Sequence, residues 1–361
     1  MKRVNNLFEQ LINRDNILLA IEDVNRSHRT NHGKKNKTVE YVESHLEETI
    51  EKLRKMILEG FVPSPMKKKR RWDKSARKWR DICEPKLFPD QYIHHMIVQV
   101  LKPVMMRGMD YWCCGSIPKR GTSHGIKGIK KWIKHDKKYT KYAAELDIHH
   151  FYDSIEPKFV LERMKELVKD NKMLEVIWSI IKDGIPIGAY CSQWFANTLL
   201  QPLDHYIREE LKVKHYIRYM DNMTLFGNNK KKIQQTIVRI RWWLKAHNLK
   251  LKSNYQVFPI ASRPVNALGF RFLKNGKVII RKYTLLRIKR AIRHFNKISP
   301  KRDKQYARKA AGLLSMLSPL YECNSCNIRK RYLVKGFRRT LRIIVSSNAR
   351  RINRIIKQSE S

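Results

Sequence analysis

The stretch Tyr216–Phe226, YIRYMDNMTLF, consists of two short apolar runs joined at a polar Asp221-Asn222 pair. Aromatic and apolar residues of this kind suit strands, and Asp-Asn suits a turn, so the stretch predicts an antiparallel hairpin with a carboxylate at its tip. A lone turn aspartate is more often structural than catalytic. What Asp221 does therefore depends on what else reaches the same edge of the sheet.

Upstream, KYAAELDI at 141–148 alternates, with Tyr142, Ala144, Leu146 and Ile148 on one face and Ala143, Glu145 and Asp147 on the other. That predicts a strand ending in a second carboxylate. A helix is expected from Pro157, at a natural first position, with Val160, Met164 and Leu167 on its apolar face. Phe195, Leu199, Leu203, Ile207 and Leu211 form an i, i+4 stripe predicting a further helix, bent by Pro202. After the hairpin come an amphipathic helix over 233–247 and short strands at 249–251, 256–259 and 267–273. Strand, helix, helix, hairpin, helix, strand is the order of an α+β fold with an antiparallel sheet covered on one face.

The flanks differ in character. Residues 1–60 carry Leu7, Leu11, Ile17, Ile21, Val42, Leu46, Ile50, Leu53 and Ile57 at helical spacing, and Gly60 closes them. Between Lys67 and Arg80 lie nine Lys or Arg with Trp72 and Trp79 among them, and Asp73-Lys74-Ser75 offers a turn. This predicts a basic two-stranded ribbon with aromatic faces, the alternative being a solvated loop. From Arg281 onward 23 Lys or Arg face three acidic residues on helical patterns, which predicts a separate basic helical domain. Three regions are expected: 1–140, 141–280 and 281–361.

Across 361 residues, 77 Lys plus Arg stand against 32 Asp plus Glu, a formal charge of +45, while apolar residues make up 42%. The composition is that of a folded protein with a basic surface, for which nucleic acid is the leading partner and an anionic membrane surface the alternative. No run of about eighteen apolar residues suggests a membrane span, and the first residues lack the apolar core of a signal peptide, so a cytoplasmic location is expected. Six cysteines are expected as thiols; Cys323-x-x-Cys326 alone has metal-like spacing, and without a second close pair it predicts a loop between helices rather than a zinc site. Asp147 at a strand end and Asp221 at a hairpin tip of the same sheet predict two adjacent carboxylates, a setting for two Mg²⁺ ions and phosphoryl transfer.

The order of sequence blocks resembles the reverse transcriptase family, most closely the reverse transcriptases of diversity-generating retroelements. FPDQYIHHMIVQVLKPV (88–104) and CGSIPKRGTSHGIKGI (114–129) resemble the two finger blocks, and YAAELDIHHFYDSI (142–155) the palm strand with its first catalytic aspartate. GIPIGAYCSQWFAN (184–197) is similar to the fourth block, in the variant Ile-Gly-x-x-x-Ser-Gln matched by Ile187, Gly188, Ser192 and Gln193. YIRYMDN (216–222) resembles the Tyr-x-Asp-Asp hairpin, LKAHNLKLKSNYQVFP (244–259) the next palm block, and VNALGFRF (265–272) the primer-gripping block.

The resemblance implies a right-hand polymerase with fingers, an antiparallel-sheet palm (141–280, with part of the fingers at 153–190) and a basic helical thumb at 281–361. It implies an RNA-directed DNA polymerase, a nucleotidyltransferase, acting in retroelement sequence diversification or alternatively in antiviral defence; a catalytically impaired RNA-binding scaffold is the third reading. Asp147, Asp221 and Asn222 would form the catalytic set, with Asp147, Ile148 and Asp221 holding two Mg²⁺, or Mn²⁺. Lys78, Arg80, Phe151, Tyr152, Ile187, Gly188 and Gln193 would contact the incoming nucleotide, with Tyr152, five residues after Asp147, screening the sugar 2′ position. Arg120, Lys289, Arg290, Arg338 and Arg339 would contact nucleic acid. Implied partners are template RNA, an RNA–DNA hybrid, deoxynucleoside triphosphates and a small basic accessory protein, in a bacterial or phage-encoded setting without a membrane. Two departures stand out. Asn222 replaces the second hairpin aspartate, lowering the carboxylates available to metal from three to two. Tyr255 and Gln256 occupy the neighbourhood where the family often has a lysine, and Lys252 is near in sequence without being an evident equivalent.

Overall fold

A computed structural model describes residues 2–28, 30–31, 34–73, 78–298 and 304–347. The chain divides into two compact units, one of residues 1–124 with 142–257 and the other of 125–141 with 258 onward. The second unit thus begins well before the compositional change at Arg281.

The first unit opens with helices α1 (Leu7–Ile12), α2 (Arg14–His28), α3 (Lys37–Ser44) and α4 (Leu46–Leu58), with minimal strands β1 (Thr30–Asn31) and β2 (Lys34–Lys35) between α2 and α3. Leu11, Ile17, Ile50 and Leu53 are fully buried, as the helical spacing requires, each such side chain contributing about 1.5–3 kcal/mol. Gly60 follows with φ +90°, a value glycine adopts without strain. Strands β3 (Lys67–Asp73) and β4 (Lys78–Glu84) then pair antiparallel, from Lys67 opposite Glu84 to Asp73 opposite Lys78. The expected ribbon forms; residues 74–77 of its turn lie outside the described residues.

Helix α5 (Tyr92–Arg107) and, after helix α6 (Thr122–His135), which belongs from Gly125 to the second unit, strand β5 (Tyr142–Asp147) follow. The short helix α7 (Phe151–Ser154) precedes α8 (Pro157–Leu167), which starts at the expected proline and buries Val160, Met164 and Leu167. Helix α9 (Asn171–Ile181) is capped by Asp170, whose side chain accepts from the Met173 amide. The long stripe is buried throughout, and its helical path is interrupted just before the expected proline: α10 (Tyr190–Leu199) and α11 (Gln201–His205) meet at Leu200, itself in the right-handed helical region, with Pro202 in the first turn of α11. Proline has no amide to donate and is tolerated in the first turn of a helix, so the chain restarts there.

Strands β6 (His215–Tyr219) and β7 (Asn222–Gly227) form the predicted hairpin, and β7 pairs antiparallel with β5. Helix α12 (Lys230–Ala246) begins three residues before the expected start because Asn229 caps it through the Lys232 amide. Of the strand expected at 249–251 only one bridge forms, Leu251 opposite Ile148. Strand β8 (Gln256–Pro259) closes the sheet order β6-β7-β5-β8 at the edge of the first unit.

In the second unit the strand expected over 267–273 forms only in part, over Phe270–Phe272, because a turn at Leu268 and Gly269 interrupts it. β9 (Val265–Ala267) and β10 (Phe270–Phe272) pair across Leu268 and Gly269, both at positive φ, and β11 (Val278–Ile280) completes a meander. Helices α13 (Lys282–Asn296), α14 (Lys304–Tyr321) and α15 (Cys326–Tyr332) follow, then a helix from residue 337 described as far as 347. Ile280 packs with Ile288, Leu317 and Leu341, and the Asn324 amide donates to the Val278 carbonyl at 2.8 Å. These contacts bind the meander to the basic helices, and they explain why the unit starts upstream of Arg281. Cys323 and Cys326 lie at the α14–α15 loop, and all six cysteines are free thiols. Among the described residues no helix is long and apolar enough to cross a membrane.

Candidate active site

The site sits where β5 ends against the β6–β7 connection. Asp147, last in β5, pairs with Asn222, first in β7, which in turn pairs with Tyr219 of β6. The two turn residues are therefore Met220 and Asp221, and not the Asp-Asn pair. The left-handed residue is Met220 (φ 55°), while Asn222 is a strand residue lying between Tyr219 and Asp147.

Several contacts hold Met220 in that conformation. Arg218 Nη1 donates to its carbonyl at 3.0 Å, and a Cβ on Gly115 would come within 2.6 Å of its amide nitrogen, so only glycine fits opposite. Arg218 is completely buried and forks onto Asp204 through Nε (2.7 Å) and Nη2 (2.6 Å), with a further bond from Nη1 to Asn197 Oδ1 at 2.9 Å. Tyr216 Oη donates to the same Asp204 oxygen at 2.7 Å. A buried charge without a partner costs several kcal/mol, so this pair and its satellites fix where the hairpin tip lies. Asp204 and Arg218 escaped the sequence reading. The available signal was an arginine inside an otherwise apolar strand, which demands an acid nearby.

Asp147 and Asp221 lie close enough to repel. The Asp221 carboxyl is pushed above its ordinary value first by burial and then by the charge of Asp147, opposed by its own backbone amide, Lys252 and Arg80. Asn222 Nδ2 donates to Asp221 Oδ1 at 3.1 Å and orients it. Asp147 Oδ1 is buried and without a well-aligned hydrogen bond; its close charge is Lys252 Nζ at 2.7 Å. Lys252 reaches it because its amide donates to the Asp147 carbonyl (2.9 Å) and the His149 amide donates to Lys250 (2.7 Å). The structure thus gives Lys252 a definite place at the first aspartate, which sequence distance alone did not reveal. The Ile148 side chain is buried, and its amide donates to the Asp221 carbonyl at 3.4 Å, tying the two carboxylate-bearing segments together.

Around this core the other expected residues fall into two groups. Arg80 is brought to the site: held by Asp73 Oδ2 at 2.8 Å, it bears electrostatically on both Asp221 and Tyr152. Tyr152 lies beside Asp221, its hydroxyl pushed up by burial and by that carboxylate, and it lines a cavity of about 600 Å³ together with Asp153, Met66 and Cys83. The Ile187 carbonyl accepts from the Cys83 amide at 2.7 Å, and Gly188 (φ +120°) would place a Cβ 2.2 Å from the Cys83 carbonyl oxygen. That close approach requires glycine and docks the loop before α10 on the ribbon. Gln193 is exposed on α10. Lys78 opens β4 opposite Asp73.

The second group is engaged elsewhere. Phe151 is 3% exposed and packs in the core, so its ring contributes to packing rather than to an open surface. Arg120 donates to the carbonyls of Met109 (3.3 Å) and Asp110 (3.1 Å), which staples the end of α5. In the second unit Lys289 lies over the Tyr332 ring at 4.4 Å and Arg338 over Tyr321 at 4.1 Å, while Arg290 and Arg339 are exposed.

Comparison with known proteins places this geometry in a family. The group II intron-encoded protein LtrA of Lactococcus lactis subsp. cremoris is 24% identical over 182 residues, covering 46% of this chain and 29% of that protein. The match therefore spans under a third of the relative's length. Solved structures that align include Candida albicans telomerase in complex with a TWJ fragment of telomeric RNA (13% identity, TM-score 0.48, 79% of this chain and 61% of that one) and apo telomerase from Candida tropicalis truncated from its C-terminal domain (15%, 0.45, 61% and 55%). Residues 66–272, more than half of the chain and the whole of the site above, match the family described as reverse transcriptase (RNA-dependent DNA polymerase). The chain belongs to the reverse transcriptase family.

Proposed function

We propose that this protein is an RNA-directed DNA polymerase that extends a 3′-hydroxyl with deoxynucleotides on an RNA template, built as a right hand with fingers, palm and basic thumb. The observation that carries the reading is the register of β5 and β7, which pairs Asp147 with Asn222 and so leaves Asp221, the turn residue before it, where the charges of Asp147 and Arg80 both act on its carboxyl.

The donor set fits Mg²⁺. Asp147 Oδ1 has no well-aligned hydrogen bond and only the Lys252 ammonium beside it, and the Asp221 carboxyl is raised first by burial and then by the charge of Asp147, so a pair of carboxylates sharing one lysine leaves room for a hard dication. Asp147, Asp221 and Ile148 would hold it. When bound, such ions neutralise charge on the reacting phosphate and its attacking and leaving oxygens. The chain's own groups do the rest: Arg80 binds the triphosphate by charge-assisted hydrogen bonds, and the Tyr152 ring occupies the space a 2′-hydroxyl would need. Lys252 counters the Asp147 charge, and Asn222 aims the Asp221 carboxylate. The basic helices of the second unit hold the template–primer duplex through phosphates.

A retroelement setting is supported by the intron-encoded relative. The Ile187-Gly188-x-x-x-Ser192-Gln193 variant favours sequence diversification with a dedicated RNA and a small basic accessory protein in a bacterial cytoplasm, ahead of antiviral defence. Asn222 favours a second reading, a polymerase-like fold kept as an RNA-binding scaffold. Primer extension on a primed RNA with Mg²⁺ decides between them. Incorporation that is present in the native chain and lost in Asp147→Asn supports the enzyme; incorporation that appears only in Asn222→Asp supports the scaffold.

A further inference from the structure

The ribbon β3–β4 sorts its side chains by strand alternation. On one face its charges are matched internally: Glu84 takes Lys69 and Arg71, and Asp73 takes Arg80. The other face carries Lys68, Arg70 and Trp72 on β3, opposite Cys83, Asp81 and Trp79 on β4. Trp72 and Trp79 face each other directly, ring centres 5.4 Å apart at 67°, and remain 45% and 55% exposed. The Arg70 guanidinium lies 5.7 Å from the Trp79 ring centre. Among the described residues neither Arg70 nor Lys68 forms an ion pair, and Asp81, across the ladder from Arg70, forms none either.

Two indoles left half in water forgo the burial that usually stabilises tryptophan, and the ladder does not need them there. Flat aromatic faces beside uncommitted cations complement a ligand that presents a π-face and a phosphate in each repeat. An unpaired nucleotide has both exposed, whereas a duplex hides its base faces. The charge of the whole chain, +45, favours the same polyanion.

We propose that the Trp72–Trp79 face of the ribbon is a stacking platform for unpaired bases of a single-stranded nucleic acid, with Arg70 and Lys68 on its phosphates. It rests on the polymerase reading only in taking that strand to be the template ahead of the copying point.

The full-length chain is tested with a short oligoadenylate carrying one 5-iodouridine, as RNA and as DNA, photocrosslinked and mapped by mass spectrometry. In parallel, affinities for the same strands and for a duplex of equal length are measured in Trp72→Ala, Trp79→Ala and the two Phe variants. The crosslink is expected on Trp72 or Trp79. Each alanine should weaken single-strand binding about tenfold while leaving duplex binding within about twofold, and phenylalanine should keep most of the affinity. A loss confined to the RNA arm identifies RNA as the occupant; equal loss on both arms identifies either strand. Crosslinks only elsewhere, unchanged single-strand affinity, or equal loss for strand and duplex would overturn the proposal. Crosslinking needs no catalysis, so a chain that crosslinks at the tryptophans but extends no primer keeps this inference and loses the polymerase reading.

Discussion

The molecule contains two arginine-bearing hairpins beside one site, and they are built in opposite ways. In β6–β7 the arginine is sealed from water, and Arg218, Asp204, Tyr216 and Asn197 satisfy one another. In β3–β4 the β3 side chains from Lys67 to Trp72 stand in solvent, and the ion pairs of Glu84 and Asp73 are only partly buried. A buried pair is expensive to break, whereas an exposed one is worth about 0–1 kcal/mol. The difference follows the work of each hairpin. On the proposed reading, a carboxylate that meets a reacting phosphate is held by contacts water cannot replace, while a ribbon that meets a polymer keeps its cations in surface pairs that can be exchanged.

The largest expected effect is on chemistry. Asp147→Asn should lower primer extension by about 10⁴-fold or more, read as single-turnover incorporation, with thermal unfolding no lower than in the native chain. Next comes stability: Arg218→Met strands Asp204 in the core and should cost about 3–5 kcal/mol in denaturant unfolding. Arg71→Met on the ribbon is the matching control, and equal losses at the two positions would dissolve the contrast between the hairpins. Gly188→Ala forces a Cβ into the Cys83 carbonyl at a positive φ and should cost about 1–3 kcal/mol, with ribbon cleavage by protease as the local readout.

The effect of Asp221 is smaller and depends on pH. Its carboxyl is raised above 3.8 in the fold, so the folded state binds the proton more tightly than the unfolded chain. Its stabilising contribution is complete below 3.8 and is lost as pH rises through the folded value. Asp221→Asn should therefore raise the melting temperature by a few degrees at most at pH 7 and change it little near pH 3.5, provided Mg²⁺ is absent. A fall at pH 7 would mean the carboxylate stabilises the tip. Arg71→Met closes the series, at under about 1 kcal/mol.

Much of the fold was legible because it follows from local periodicity. Pro157 marked the start of α8, the alternation at 142–148 marked β5, and the aromatic spacing marked the ribbon. Where two local signals competed, the expectation slipped. The stripe through 195–211 showed the bend at Pro202 but not that the helix is interrupted at Leu200, because apolar spacing continues across the interruption. The strand expected over 267–273 runs across the turn at Leu268 and Gly269 because Ala267, Phe270 and Phe272 are apolar on both sides of it.

The sequence by itself determined the element types, the basic character of the chain and the pair of carboxylates, since composition and period are properties of the chain. Only the tertiary structure decided that Met220 and Asp221, and not Asp221 and Asn222, make the turn, because hairpin register depends on the partner strand. It also decided that Lys252 meets Asp147, that Arg218 finds Asp204, and that Gly188 touches Cys83. Each of these joins residues whose proximity is set by packing, and packing is a property of the assembled core rather than of any segment.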